Sequence, residues 1–403
     1  MRALKFIGAA ALTAAVALPV AWTVGSSTPP SSSEAPAAFD NLTNGFLTQD
    51  EFEFVKEVFD EIEFVEDGLG PVYNAEACVS CHQSPVSGGV SQVTELRAGS
   101  FDGRSFREAA GGSLINDRAI HPDMQERVGS SQQNVRALRS SLNVLGDGFV
   151  EAIDSRTLEN IAARQPRSMR GQVIQVPVLE AGGALRVGRF GWKNQHASLE
   201  SFSADAYKNE MGITSPLEPL ENTSNGRSVA AYDDVPDPED DGADIVFFAN
   251  FMRSTKAPPR DTVLEATSDA RDGSRFFRDI GCETCHIRDI TTAPAGTVIN
   301  AGAFTVPAAL GNKVIHPFSD FLLHDVGTGD GIVQNGGPST RNKMRTAPLW
   351  GARTRSRFLH DGRALTFNDA ILAHGGEASD VVSKYKNMSS SDRSKLITFL
   401  SSL

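Results

Sequence analysis

All four cysteines of the 403-residue chain fall in two matching arrangements, Cys78-Val-Ser-Cys81-His82 and Cys282-Glu-Thr-Cys285-His286. Four cysteines in an exported protein could form two disulfides, a C-x-x-C pair could be a redox dithiol, and two such pairs could share a zinc ion. None of these requires a histidine directly after the second cysteine, and here it follows both times. A separation of about 200 residues also argues against one shared zinc. Thioether attachment of a porphyrin explains every element of the spacing. Both thiols add to the two vinyl groups, and the adjacent imidazole is held under the iron as its proximal ligand. The sequence therefore predicts two covalently bound haem c groups, one on Cys78, Cys81 and His82 and one on Cys282, Cys285 and His286.

The surrounding segments read as a degenerate repeat of a small helical unit. Phe54, Phe59 and Phe64, set among acidic residues, predict an amphipathic helix running into the first motif. Gly273-Ser-Arg-Phe-Phe-Arg-Asp-Ile-Gly281 precedes the second. Between them, Leu142–Gly191 changes texture: β-branched residues alternate between glycines, which predicts a short hairpin inserted in a helical domain. Asp233–Gly242 is an acidic, proline-containing surface loop, followed by an apolar helix from Ile245 to Met252 and then Pro258-Pro259. The chain closes on a capped amphipathic helix from Ser391. The expected fold is mainly α, with two c-type cytochrome-like haem domains at 46–255 (catalytic) and 256–403 (electron transfer) and the hairpin in the first.

Arg2 and Lys5 precede an apolar run from Phe6 to Val24, so residues 1–26 read as a signal peptide or N-terminal anchor. Val24-Gly25-Ser26 offers a cleavage site; the run is long for a signal and marginal for a span. Residues 27–45 read as a flexible tether. Export to the periplasm agrees with c-type haem attachment, which in bacteria takes place outside the cytoplasmic membrane. The net charge of −12 argues against a nucleic-acid footprint, which needs a clustered basic face, and mildly favours a basic partner.

With the motifs placed, the sequence resembles the bacterial di-haem cytochrome c peroxidase superfamily, and most closely its di-haem oxidoreductase (thiol oxidoreductase) branch. The resemblance is carried by Gly68-Leu-Gly-Pro-Val-Tyr-Asn74, Gly188-Arg-Phe-Gly-Trp-Lys193, Glu210-Met-Gly-Ile-Thr214, His316–Gly327, Arg345-Thr-Ala-Pro-Leu-Trp-Gly351 and Phe358-Leu-His-Asp-Gly-Arg363 through Glu377. It runs from about residue 46 to the C-terminus, and its order around the two haem motifs is specific.

The resemblance implies that peroxide reacts at the N-terminal haem and that the C-terminal haem receives electrons, from a small soluble cytochrome or cupredoxin. It implies a distal carboxylate at Glu210 and an inter-haem tryptophan at Trp192. Typical members carry a methionine as sixth ligand of the C-terminal haem; the matching position here is His374, which implies bis-His ligation by His286 and His374, with Met344 as the fallback. An ordinary helix-end histidine is the alternative at that position. The family's switchable distal histidine is matched by Ala98, leaving the His82 iron open or ligated by His121 or His196. Arg353, Arg355 and Arg357 are candidates for haem propionates. Arg355 and Arg357 replace residues that hold an inter-domain calcium in the peroxidases, so calcium is not carried over with them. His324 and His360 match histidines close to the second haem. The leading expectation is a peroxidase-like oxidoreductase; the alternatives are an oxidase of a thiol, metal ion or protein side chain, and a non-enzymatic two-haem carrier.

Overall fold

A computed structural model of the chain describes residues 31–129 and 133–403; the expected signal or anchor at 1–26 lies outside them. Among the described residues no helix is long and apolar enough to cross a membrane.

Helix α1, Gln49–Asp60, starts where Thr48 and Glu51 cap each other's backbone N–H groups. It buries Phe52, Val55 and Phe59, spaced three and four residues apart. The expected helix is present but turned: Phe54 is 51% exposed, and Phe64, 56% exposed, lies beyond its end. The buried stripe and helix α2, Leu199–Ala206, both pack on helix α3, Ala243–Ser254, through a core that holds Phe248, Phe251 and Tyr207.

The expected hairpin is there. Strand β1, Gln175–Val178, pairs antiparallel with strand β2, Ala184–Val187. The fold is nevertheless less helical than the sequence led us to expect, with 34% helix and 16% strand among the described residues. A four-stranded sheet accounts for much of the difference: Thr94–Phe101 is flanked by Val135–Ser140 on one edge and by Phe106–Glu108 and Leu114–Ile115 on the other. Its Glu-Leu-Arg-Ala stretch alternates charged and apolar residues, and Arg139 pairs with Glu95 across the strands. That period of two places one charged row on a single face.

In the C-terminal half, helix α4, Ser268–Ile280, packs on helix α5, Ser390–Leu400, around Phe277, Leu396 and Phe399. Gly273 permits this approach, since a Cβ there would lie 2.0 Å from the Lys395 carbonyl oxygen. The stretch expected to be a tether is tied to the body from Ser33 onward. Ser33–Glu34 pairs in parallel with Lys313–Ile315, and Ala38 N–H donates to the Ala257 carbonyl. Ile290, Ala293, Val306 and Ile315 join the same core as Phe52, and residues Ser32–Leu403 form one compact unit.

Candidate functional site

Cys78–Cys81 make a single helical turn capped by His82. The two thiols and the imidazole line one cavity of ≈ 1350 Å³, solvent-open space included, walled by Phe59, Phe190, Phe248 and Met252. His82 Nδ1 lies 3.3 Å from the Gly89 carbonyl oxygen. A neutral imidazole that donates through Nδ1 keeps its lone pair on Nε2, the ligating form. Burial lowers the His82 pKa and so favours that neutral form. Burial also raises both thiols, Cys81 to about 12. Neither is in a disulfide.

Cys282, Cys285 and His286 line a second cavity of ≈ 1370 Å³ with Phe277, Leu396 and Leu400. The same device recurs: His286 Nδ1 is 2.9 Å from the Phe318 carbonyl, and burial pushes its pKa down to about 4. His374 lines this cavity as well, with its Nδ1 2.7 Å from the Ala370 carbonyl. Both imidazoles thus keep Nε2 free of any backbone bond. Met344 also borders the cavity, its Sδ 3.9 Å from Lys193 Nζ.

The other histidines are engaged differently. His324 sits between Asp320 and Glu377, at 2.8 and 2.7 Å, which raise it to about 12 against its burial. It is a cation there and cannot ligate. His316 is held by Asp289 and Glu34 at 2.6 and 2.7 Å. His196 Nε2 is 3.1 Å from Asp205, and His121 stacks on Tyr232 at the surface. Neither lines the His82 cavity. His360 borders the second cavity and stands edge-on to Trp192, ring centroids 6.1 Å apart.

Each cavity therefore offers two thiols, at least one neutral imidazole with a free Nε2 and an apolar wall. That donor set fits a flat apolar porphyrin bonded through thioethers. The sequence profile of a haem-enzyme family, described as "Di-haem oxidoreductase, putative peroxidase", matches residues 122–403, well over half of the chain. The chain belongs to the di-haem oxidoreductase family. Solved structures with a similar course include hydrazine synthase of Kuenenia stuttgartiensis, at 14% identity over 98% of this chain and 100% of that one, TM-score 0.43. A MauG-like protein associated with microbial copper homeostasis aligns at 15% identity over 94% of each chain, TM-score 0.42. No curated protein matches the sequence at a significant level.

Two residues of this di-haem oxidoreductase border both cavities, Trp192 and Arg345. Trp192 Nε1 donates to the Ser140 carbonyl at 2.8 Å, which fixes the indole plane. Arg345 N–H donates to the Trp192 carbonyl and its Nε to the Gly191 carbonyl, both at 2.8 Å. Burial lowers Arg345 to about 10, opposed by the charge of Asp147, whose own carboxyl burial raises to about 7. Of the three arginines before His360, Arg355 lines the second cavity; burial lowers it to about 10. Arg353 turns to the Pro259 carbonyl and Arg357 to that of Gly362.

Glu210 lines the first cavity from a widened helical turn, Tyr207–Met211. Gly212, at φ +80°, ends that turn against Gly70, where a Cβ would come within 2.5 Å of the carbonyl oxygen. Asn74 Nδ2 donates to Glu210 Oε2 at 2.8 Å. Opposite stand two residues that sequence reasoning missed, Glu95 and Arg97. They line the same cavity and are joined by guanidinium bonds of 2.6 and 3.0 Å. The Glu95-x-Arg97 alternation was the available signal, since it puts both on one face of a strand. Ala98, buried in that strand, faces away from them.

Proposed function

We propose that this protein is an exported di-haem c-type oxidoreductase with peroxidase-like chemistry in the His82 cavity and electron transfer through the His286 cavity. Cys78, Cys81 and His82 would hold one haem, and Cys282, Cys285, His286 and His374 would hold the other. The observation that carries this reading is the pair of matching cavities with one tryptophan and one arginine in the wall of both.

Haem supplies a redox-active iron that exchanges electrons and, where a coordination position is free, meets a small oxidant. The chain's own residues do the rest. His374 lines the second cavity and would close that site, while neither His121 nor His196 lines the first cavity. Reducing hydrogen peroxide to two waters consumes two electrons and two protons. It needs a proton moved from one peroxide oxygen to the other as the bond breaks. Glu210 is placed to carry that proton, held in position by Asn74. Trp192, rigid between the cavities, is placed to relay the electrons. Arg345 and Arg355 set positive charge where propionates would be stabilised. The acidic surface favours a small basic cytochrome or cupredoxin as electron donor.

Three measurements test the reading. Mass spectrometry of the exported protein should show two haem adducts. The reduced protein should bind carbon monoxide at one iron; binding at neither would leave a carrier. Turnover of peroxide with a small reduced cytochrome should be lost in Glu210→Gln, and an unchanged rate would remove Glu210 from the mechanism.

A further inference from the structure

We propose that Glu95 and Glu210 act as one unit holding a single proton between two carboxyl groups, with Arg97 and Arg139 keeping Glu95 ionised and Glu95 keeping Glu210 protonated. This deepens, and rests on, the reading of Glu210 as the proton-carrying group. Glu95 acts through Glu210 and is a positioning residue.

Both side chains line the His82 cavity, and the charge of Glu95 bears on Glu210. Two ionised carboxylates in one desolvated cavity repel each other, so one of them keeps its proton. The surroundings decide which. Glu95 takes two bonds from Arg97 and lies 3.8 Å from Arg139 Nη1. Glu210 takes its side-chain bond from the neutral amide of Asn74. The ion pair therefore belongs to Glu95 and the proton to Glu210. The shifts agree: Glu95 is lowered by Arg97 and Arg139 against its burial, while burial and then the charge of Glu95 raise Glu210 to about 8.

Other charges nearby do not change this assignment. Asp205 is engaged with His196 and acts on Arg97, Lys208 is paired with Glu218, Arg139 is also held by Asp330, and burial keeps the Cys81 thiol neutral. The pair thus presents a donor and an ionised partner at one wall, as proton transfer in both directions requires. Arg97 and Asp205 also border an adjoining chamber of ≈ 990 Å³ with Glu108 and His196.

Infrared titration of the haem-loaded protein, without peroxide, tests this. Other buried acids with raised pKa, among them Glu63 and Glu221, contribute protonated carboxyl bands of their own. The relevant band is the one that Glu210→Gln removes. It should be present at pH 7 in the unmodified protein and disappear as pH rises through about 8. In Glu95→Gln its midpoint should fall by at least about one pH unit, because the charge opposing ionisation is gone and an amide donor replaces it. Glu95→Asp should recover part of that shift. Absence of the band at pH 7, or an unmoved midpoint in Glu95→Gln, overturns the proposal. Should Glu95→Gln fail to fold, Arg97→Gln reads the same linkage: the midpoint should rise, and no change overturns it. A shared proton without peroxide turnover would sink the peroxidase reading and leave the pair. Turnover with an unmoved midpoint would sink the pair alone.

Discussion

The His82 and His286 cavities are built from the same five-residue motif, are nearly equal in volume and hold their first histidine by the same bond to a backbone carbonyl. They differ in what the rest of the chain brings to them. A sheet and a widened helical turn deliver Glu95, Arg97 and Glu210 to the first. Short helices deliver a second imidazole, His374, to the other. The motif thus fixes where a haem is held. Whether that haem reacts or only passes electrons depends on neighbours distant in sequence.

The largest expected consequence of this difference is in proton transfer. Glu210→Gln should lower kcat/KM for peroxide by about 10²–10⁴-fold with both haem spectra unchanged. An equal loss from a carboxyl-to-amide change on the His286 side, such as Glu377→Gln, would erase the distinction between the cavities.

Next comes stability on the His286 side. His324→Leu leaves Asp320 buried with its cation gone and should cost about 3–5 kcal/mol in the thermal unfolding of the haem-loaded protein. The sign with pH is set by the two shifts. His324, raised from 6.5 to about 12, contributes fully below pH 6.5 and loses its contribution as pH rises toward 12. Glu377, lowered from 4.5 by His324 against its burial, contributes above pH 4.5 and less as pH falls below it. The difference between parent and variant should therefore be greatest between about pH 4.5 and 6.5.

Opening the closed site is a change of stoichiometry. His374→Ala should raise carbon monoxide bound by the reduced protein from one equivalent to two, and His374→Met should raise the potential of that haem. One equivalent in His374→Ala would assign the second face to another residue, with Met344, which borders the same cavity, the next candidate.

The smallest effect is expected in the shared wall. Trp192→Phe removes the donor to the buried Ser140 carbonyl and should cost about 1–3 kcal/mol of stability. It should also slow electron transfer between the haems in flash reduction. A lost stability with an unchanged rate would make Trp192 a wall residue only.

Much of this molecule is legible in its amino-acid order. Two thiols and an imidazole at fixed local spacing specify their own geometry, so the haem motifs need no distant partner to be recognised. The hairpin at Gln175–Val187 and the C-terminal helix are likewise readable, because their periodicity and caps are local. The Thr94–Ser140 sheet is not: its central strand pairs with Val135–Ser140 from beyond two further strands, and Glu95 and Arg97 look like surface charges until Glu210 arrives opposite them from more than a hundred residues away. Which face of α1 is buried is decided the same way, by Phe251 packing on Phe52 and Phe59 and leaving Phe54 outside. By itself the sequence determined the two sets of paired thiols and an imidazole, since each set is encoded by neighbouring residues. Only the tertiary structure decided which acids share a cavity and that Arg345 joins Trp192 in bordering both sites. Those relations arise from packing between segments that are strangers in sequence.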